Sequence, residues 1–375
     1  MSKNVGAYVH IPFCAKKCTY CDFVSYDNKT ELIDRYIDAL KNEIKSTNEK
    51  YIIKTIYIGG GTPSFINSTY IEEILSIIKQ NWNVKKSAEI TIEVNPGTVN
   101  REKLKTYYKS GINRISIGMQ SSNDKELKLI GRIHTYEKFL GTYKLAQEVG
   151  FSNINVDVII GLPEQTIEDV NDTIDKIIKL DPKHISVYSL MLEEGTKLYN
   201  DVEAGLCTCP NDDIERDMYW SAKKKLEKVG YIHYEISNFA KDGYESKHNL
   251  DCWNQKEYLG FGLAAHSYIN NMRYSNTANL KEYCRGGFPY PPEKTIHEIQ
   301  TKESKMKEYM LLGLRKIDGM KISEFKNKFI DNPVYLYRDE LNKLVEQGLV
   351  KIDIDDIELT NKGIDLANQV WQEFA

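Results

Sequence analysis

The chain has 375 residues, 41% of them hydrophobic and 28% charged, with a formal net charge of −4. That length and apolar content exclude a single small domain and wholesale disorder, and the net acidity argues against broad binding of a phosphate backbone. From Val5 to about Met191, strand and helix patterns alternate six times. Strands are expected at Ala7–Ile11, Thr55–Ile58, Glu89–Val94, Arg114–Ile117, Ile154–Ile160 and His184–Leu190. Between them, Leu32, Ile33, Tyr36, Ile37, Leu40 and Ile44 follow the spacing of one apolar helix face. Ile167, Val170, Ile174, Ile177 and Ile178 do the same, behind a Thr166/Asp169 capping pair. Gly111 and Gly150 sit just past helices, where a left-handed cap is wanted.

Repeated β–α units imply a parallel sheet with right-handed crossovers, either an open Rossmann-like sheet or a curved partial barrel. The loops after the strands carry Cys, Gly, Asn, Pro or Gln, which favours a barrel with its site at the strand C-termini. After Glu194 the alternation stops. Residues 201–295 read as a barrel extension with glycine- and asparagine-rich turns. Residues 296–375 read as an α+β winged-helix-like module: helices at Met306–Leu314, Ile322–Phe329 and Leu336–Gln347, then a hairpin from Leu349–Ile352 and Ile357–Leu359. Asp353, Asp355 and Asp356 make the wing acidic, which favours a lid or docking role over nucleic-acid recognition. The fold class expected is α/β: a partial (β/α)6 TIM-like barrel over residues 1–200, with the extension and the C-terminal module appended.

The 25 tyrosines are read as amphipathic packing. The N-terminus shows no signal-peptide pattern, and no run approaches the ~20 apolar residues of a membrane span. A cytoplasmic location is expected, where the 7 cysteines argue for something other than a disulfide framework. Cys14, Cys18 and Cys21 crowd into one loop. Three thiolates can each hold one iron of a [4Fe–4S] cubane and leave the fourth iron open. Structural zinc is the competing reading, but it wants four ligands in paired motifs. Gly59-Gly60-Gly61-Thr62-Pro63 follows the second strand directly. Such a run serves a tight turn or lets a ligand approach the backbone. Glu93, in Glu-Val-Asn-Pro, ends the third strand with a carboxylate able to accept ribose hydroxyls. Asp157, among apolar neighbours, is costly to bury unpaired. Its structural alternative is a salt bridge inside the barrel, with Arg132 as partner.

The C-x3-C-x2-C spacing, with Tyr8-Val9-His10-Ile11-Pro12-Phe13-Cys14 and Tyr20-Cys21-Asp22-Phe23, resembles the radical-SAM, oxygen-independent coproporphyrinogen III oxidase family. Within it the chain is similar to the haem-chaperone (HemW-type) branch. The resemblance spans essentially the whole chain. It implies that the open iron chelates S-adenosylmethionine (SAM), and it assigns Tyr8, Tyr20, Gly60, Gly61, Thr62, Glu93, Gln120, Arg132 and Asp157 to the cofactor side. His266, at the end of Gly260-Phe-Gly-Leu-Ala-Ala, is a further candidate at the barrel mouth, where the backbone closes over SAM. The oxidase pattern continues to another cysteine two residues past its third ligand and carries a longer N-terminal arm. Here Phe23 occupies that position and the first ligand is already residue 14. His248-Asn249-Leu250-Asp251-Cys252-Trp253 resembles the branch motif H-N-x-x-Y-W, tied to haem binding, with Cys252 in place of the tyrosine. His248, Cys252 and Trp253 are therefore the haem candidates. Tyr234-Glu235-Ile236-Ser237-Asn238-Phe239 also matches, with no chemical role assigned.

The function implied is a haem chaperone holding a [4Fe–4S] cluster and SAM, with haem as cargo. Its partners would be haem or a porphyrin, haem-acceptor proteins and an electron donor. A homodimer and peripheral membrane contact are compatible, and nucleic acid is not expected. The alternative is a coproporphyrinogen III oxidase; a winged-helix nucleic-acid binder is the reading from another class. No catalytic residue is assigned.

Overall fold

The computed structural model describes residues 3–47, 50–285 and 294–375. Six strands rich in β-branched residues run parallel in sequence order: β1 (Lys3–Ile11), β2 (Tyr51–Gly60), β3 (Asn83–Val94), β4 (Arg114–Gln120), β5 (Asn153–Ile160) and β6 (His184–Ser189). Each expected strand is present, several of them longer at the N-terminal end than the apolar run suggested. Helices at Ile33–Ser46, Ser68–Asn81, Arg101–Lys109, Tyr136–Val149 and Ile167–Ile178 fill the crossovers. Thr166 and Asp169 form the expected capping box, and Gly111 and Gly150 adopt positive φ where helices end.

Strand side chains alternate between faces. Val5, Ala7, Val9 and Ile11 of β1 join Tyr36, Ile37, Leu40 and Ile44 of the first long helix in the main core. Gly6, Tyr8 and His10 therefore point to the other, inner face. Burying the apolar faces of strands and helices together is the dominant stabilising term, and it leaves the inner face free to be polar.

Among the described residues the sheet has twelve strands rather than six, ordered β12-β11-β10-β9-β1-β2-β3-β4-β5-β6-β8-β7. The added strands are β7 (Ile232–Glu235), β8 (Asn238–Ala240), β9 (Tyr258–Phe261), β10 (His266–Ile269), β11 (Met272–Asn276) and β12 (Lys294–Ile299). β9 runs parallel to β1, whereas β10, β11 and β12 continue antiparallel and β8 and β7 flank β6 antiparallel. Because β1 and β6 pair with β9 and β8 rather than with each other, the barrel stays open on one side. The residues 286–293 of the 201–295 span lie outside the described residues. Glu43, buried on the first long helix, seats the extension: it accepts bonds from Gly262 N (2.9 Å), Asn276 Nδ2 (2.7 Å) and the Tyr283 hydroxyl (2.5 Å).

The C-terminal residues have a core of their own around Met310, Leu314, Phe325, Leu344, Ile357 and Val370. Helices Lys302–Gly313, Ile322–Phe329 and Arg338–Glu346 pack with a small sheet of β13 (Met320–Lys321), β15 (Asp356–Leu359) and β14 (Val350–Ile352), in that order. The helix expected over Leu336–Gln347 is present as Arg338–Glu346, and a separate short helix, Pro333–Leu336, ends before it at Tyr337, which has φ −112° and ψ 37°. Its ring is buried edge-on against Phe374, 5.5 Å between centroids, and this tertiary contact overrides local helix propensity.

Arg315 joins this module to the barrel. Its guanidinium lies between Trp253 (4.4 Å) and Trp371 (4.5 Å), while Ile236 N donates to Arg315 O and Ile317 N to Tyr234 O. Two desolvated cation–π contacts amount to about 2 kcal/mol. Arg315→Ala is therefore expected to lower the unfolding free energy by about that much and to speed tryptic cleavage between the barrel and the module. Calorimetry and limited proteolysis check this, and an unchanged melting curve and digest would count against the joint.

Candidate cofactor site

The segment from Pro12 to Tyr26 has little regular structure, so other elements must hold it. Cys14 N donates to Tyr26 O (2.9 Å), Tyr26 N to Pro12 O (2.7 Å), Thr19 N to Ile130 O (3.1 Å) and Leu198 N to Thr19 O (2.8 Å). His10 Nε2 bonds Val24 O at 2.8 Å. Cys14 is buried, and Cys18 and Cys21 are half-buried. Burial pushes the thiols of Cys14 and Cys21 up. Hydroxyls of Thr62 and Ser25 oppose this at Cys14, as does the Phe23 backbone at Cys21. Cys14 also feels Cys21 and Cys18, and Cys21 feels Cys18. Among the described residues no three His, Cys, Asp or Glu side chains converge as a chelate for a single ion. Three thiols on one loop suit a cubane, in which each thiolate holds its own iron.

The glycine run meets this loop at the strand ends. Gly61 N donates to Ile11 O and Thr62 N to Phe13 O, both at 2.9 Å. A Cβ on Gly61 would lie 3.0 Å from Cys14 Sγ, and one on Gly60, at φ +113°, would lie 2.6 Å from the His10 ring. Only glycine fits both demands. The Thr62 hydroxyl stands 3.5 Å from Cys14 Sγ and accepts from Asn95 Nδ2 at 2.8 Å.

Around this junction lie the strand-end side chains. Glu93 accepts from the Tyr57 hydroxyl (2.8 Å) and Gly60 N (3.2 Å). Tyr8 bonds His10 Nδ1 at 3.0 Å, and Tyr20 packs against the small apolar cluster of Ile130, Ile159 and Leu162. Arg132 donates to Gly118 O (2.6 Å) and Asn95 Oδ1 (2.9 Å), with its guanidinium 3.5 Å from Cys18 Sγ. Asp157 is not ion-paired with Arg132. It accepts instead from Asn155 Nδ2 (2.7 Å), the Tyr188 hydroxyl (2.8 Å) and the Ser116 hydroxyl (3.0 Å). The β5 register explains this: Asp157 lies beside Gly118 and Ser186, while the Arg132 fork is taken up by a carbonyl and an amide. Gln120 is displaced by a bulge that leaves it at φ +70°, a strained position of the kind that collects at functional sites.

Two buried polar atoms here lack any partner, Gln120 Oε1 and Arg132 Nε. Each is costly to leave unpaired. Arg132 lines a cleft beside the cluster loop with Cys18, Thr62, Asn95 and His134, and the two unpaired atoms suit a bound polar molecule such as SAM. The structure thus gathers the three cysteines, Tyr8, Tyr20, Gly60, Gly61, Thr62, Glu93, Gln120, Arg132 and Asp157 at one end of the barrel. Tyr57, Asn95 and Tyr188 belong with them. Strand alternation could have exposed Tyr57, and the step from Glu93 to Asn95 could have exposed the amide.

The haem candidates lie elsewhere. His248, on the Lys247–Trp253 helix, bonds the Thr55 hydroxyl at 2.9 Å and packs against the Tyr57 ring. Its backbone N–H donates to Glu89 Oε1. Thr55 and Gly6 pair in register, five residues before the ends of β2 and β1, so the helix plugs the barrel floor, remote from the cysteines. Burial lowers His248 to about 4 and pushes the Cys252 thiol up to about 12. Trp253 is committed to Arg315. The segment packs as a plug in which His248 is buried and Cys252 and Trp253 are half-buried. His266 instead opens β10 and is exposed.

Comparison with known proteins adds independent findings. The radical SAM superfamily profile matches residues 8–177, and the HemN C-terminal domain profile matches residues 300–366. "Heme chaperone HemW" of Lactococcus lactis is 39% identical over 100% of this chain and 98% of its own. The Bacillus subtilis protein of that name is 38% identical over 98% of both chains. The solved coproporphyrinogen III oxidase HemN of Escherichia coli superposes with a TM-score of 0.87 over 100% of this chain and 90% of that chain, at 23% identity, a likeness of fold.

Burial raises the Glu93 carboxyl from the ordinary 4.5 to about 7, against the opposing bond from Tyr57. The folded state therefore holds this proton more tightly than the unfolded one. The resulting stability is fully present below about pH 4.5 and is lost as the pH rises through 7. Glu93→Gln is expected to raise the melting temperature of the cofactor-free protein at pH 8 by a few degrees and to leave it nearly unchanged at pH 5. Thermal melts at the two pH values test this; an equal effect at both would count against it.

Proposed function

The chain belongs to the HemW family within the radical SAM superfamily, and on that premise we propose that it is a haem chaperone, carrying haem to acceptor proteins. The observation that carries this reading over an oxidase is at the cluster loop. Three thiols are present, and Phe23, 70% exposed, stands where the oxidase pattern has a further cysteine. The names of the full-length relatives support the same choice.

A [4Fe–4S] cluster held by Cys14, Cys18 and Cys21 supplies one-electron chemistry toward a SAM chelated at its open iron. The chain's own residues do the rest. The glycine run brings backbone groups within reach of the methionine end of SAM. Glu93 presents a carboxylate to ribose hydroxyls once charged, and Gln120 and Arg132 offer the two unpaired atoms. Because the loop thiols must lose protons on loading, cluster assembly favours the upper pH range. A haem-acceptor protein and an electron donor complete the proposal, with a homodimer as the working assembly.

The test uses the full chain with its cluster reconstituted anaerobically. Given SAM, a reductant and coproporphyrinogen III, it is expected to form no protoporphyrinogen and, in a separate titration, to bind haem stoichiometrically. Protoporphyrinogen formation, or haem binding no better than that of a neutral control protein, would overturn the reading. Replacing any one of Cys14, Cys18 and Cys21 with Ser is expected to abolish the iron–sulfur absorbance while the far-ultraviolet spectrum stays unchanged. Full cluster absorbance in a variant would remove that residue from the ligand set.

A further inference from the structure

The chain has 7 histidines. Five of them are buried and hydrogen-bonded. His10 bonds Tyr8 and Val24 O, His134 bonds Met119 O, and His184 lies between Asn155 and Tyr234. His233 bonds Tyr219, and His248 bonds Thr55. Only His266 and His297 are exposed. They are also together: their rings stack with centroids 5.1 Å apart and planes 16° apart.

Strand register says where they sit. Gly260 pairs with Tyr8 and Tyr258 with Gly6, so β9 presents Tyr258 and Gly260 on the inner face. Tyr268 pairs with Tyr258, and residues two apart on a strand share a face. His266 therefore lies on the same inner face as Tyr8, at the open side of the barrel. Ser275, paired with His266, bonds His297 Nε2 at 2.8 Å. A register shift in the β11–β12 pairing accommodates His297 between Ile296 and Glu298. His266 makes no side-chain hydrogen bond among the described residues.

Resting on the haem-chaperone reading, we propose that His266 is the axial ligand of the haem cargo, with His297 as the positioning residue stacked against it. The chemistry suits this. Partial burial, then His297, lower the His266 pKa, which favours the neutral imidazole, the form that ligates iron. The Ser275 bond fixes His297, and the fixed ring fixes the orientation of its neighbour. Stacked side by side, the two imidazoles cannot clasp one iron from opposite sides. A single protein ligand leaves the second axial position of the iron open, where an acceptor can bind before His266 lets go.

The experiment is a haem titration of the full chain followed by absorbance and electron paramagnetic resonance, comparing wild type with His266→Ala, His266→Met, His297→Ala and His248→Ala. His266→Ala is expected to weaken binding about tenfold or more and to abolish the imidazole–iron signature. His266→Met is expected to replace that signature with a thioether one. His297→Ala should keep the signature with a smaller loss of affinity, and His248→Ala should keep both. If wild type binds haem and His266→Ala and His266→Met retain its affinity and spectrum, the assignment is overturned while the chaperone reading stands. If wild type binds no haem, the chaperone reading itself fails and takes this assignment with it.

Discussion

Everything at the candidate site depends on holding an irregular loop still. A loop with three thiols makes few backbone hydrogen bonds of its own, chiefly those that join Pro12 and Cys14 to Tyr26. Its shape is completed by a bond donated to Ile130 O and by bonds received from Leu198 N and from His10 Nε2 on β1. Each partner belongs to a different β–α unit. The parallel sheet fixes those units relative to one another, so barrel packing and thiol placement are one problem. Glycine at 60 and 61 is part of that solution, since any side chain there would collide with His10 or with Cys14.

The inner face shows the compromise that follows. Glu93, Asp157 and Arg132 are charged groups in a largely buried setting, and each is held by neutral partners rather than by a mutual ion pair. Neutral donors hold a carboxylate without cancelling it. The arrangement leaves charge and lone pairs directed at a ligand, whereas a closed salt bridge between Asp157 and Arg132 would have spent both groups on the fold.

Much of this was legible in the sequence. β1 to β6 stand where the β-branched runs stood, and Thr166 capped its helix as its spacing with Asp169 required. The thiol loop and the glycine run declare themselves because few other folds need those residues in that order. What the sequence concealed has physical causes. β7 to β12 are short, and a stretch such as His266-Ser267-Tyr268-Ile269 has no apolar alternation to betray a strand. The Arg132–Asp157 pairing failed because register, invisible in a linear pattern, put other donors nearer. The His248 segment drew attention as a motif, and its burial under Thr55 and Tyr57 only a tertiary structure could reveal. The stacked His266 and His297, 31 residues apart in number, become neighbours only through the β10–β11–β12 pairing.

The Lys247–Trp253 helix deserves a mechanical reading as well. Its first turn closes the barrel through His248, and its last residue receives Arg315 from the C-terminal module. A helix of seven residues is rigid on this scale. Trp253 thereby ties the module to the underside of β1 and β2, the strands whose far ends lead to Cys14 and the glycine run. The seven residues are thus a rivet: one short helix holds the module to the barrel floor and leaves the opposite strand ends to the cofactor residues.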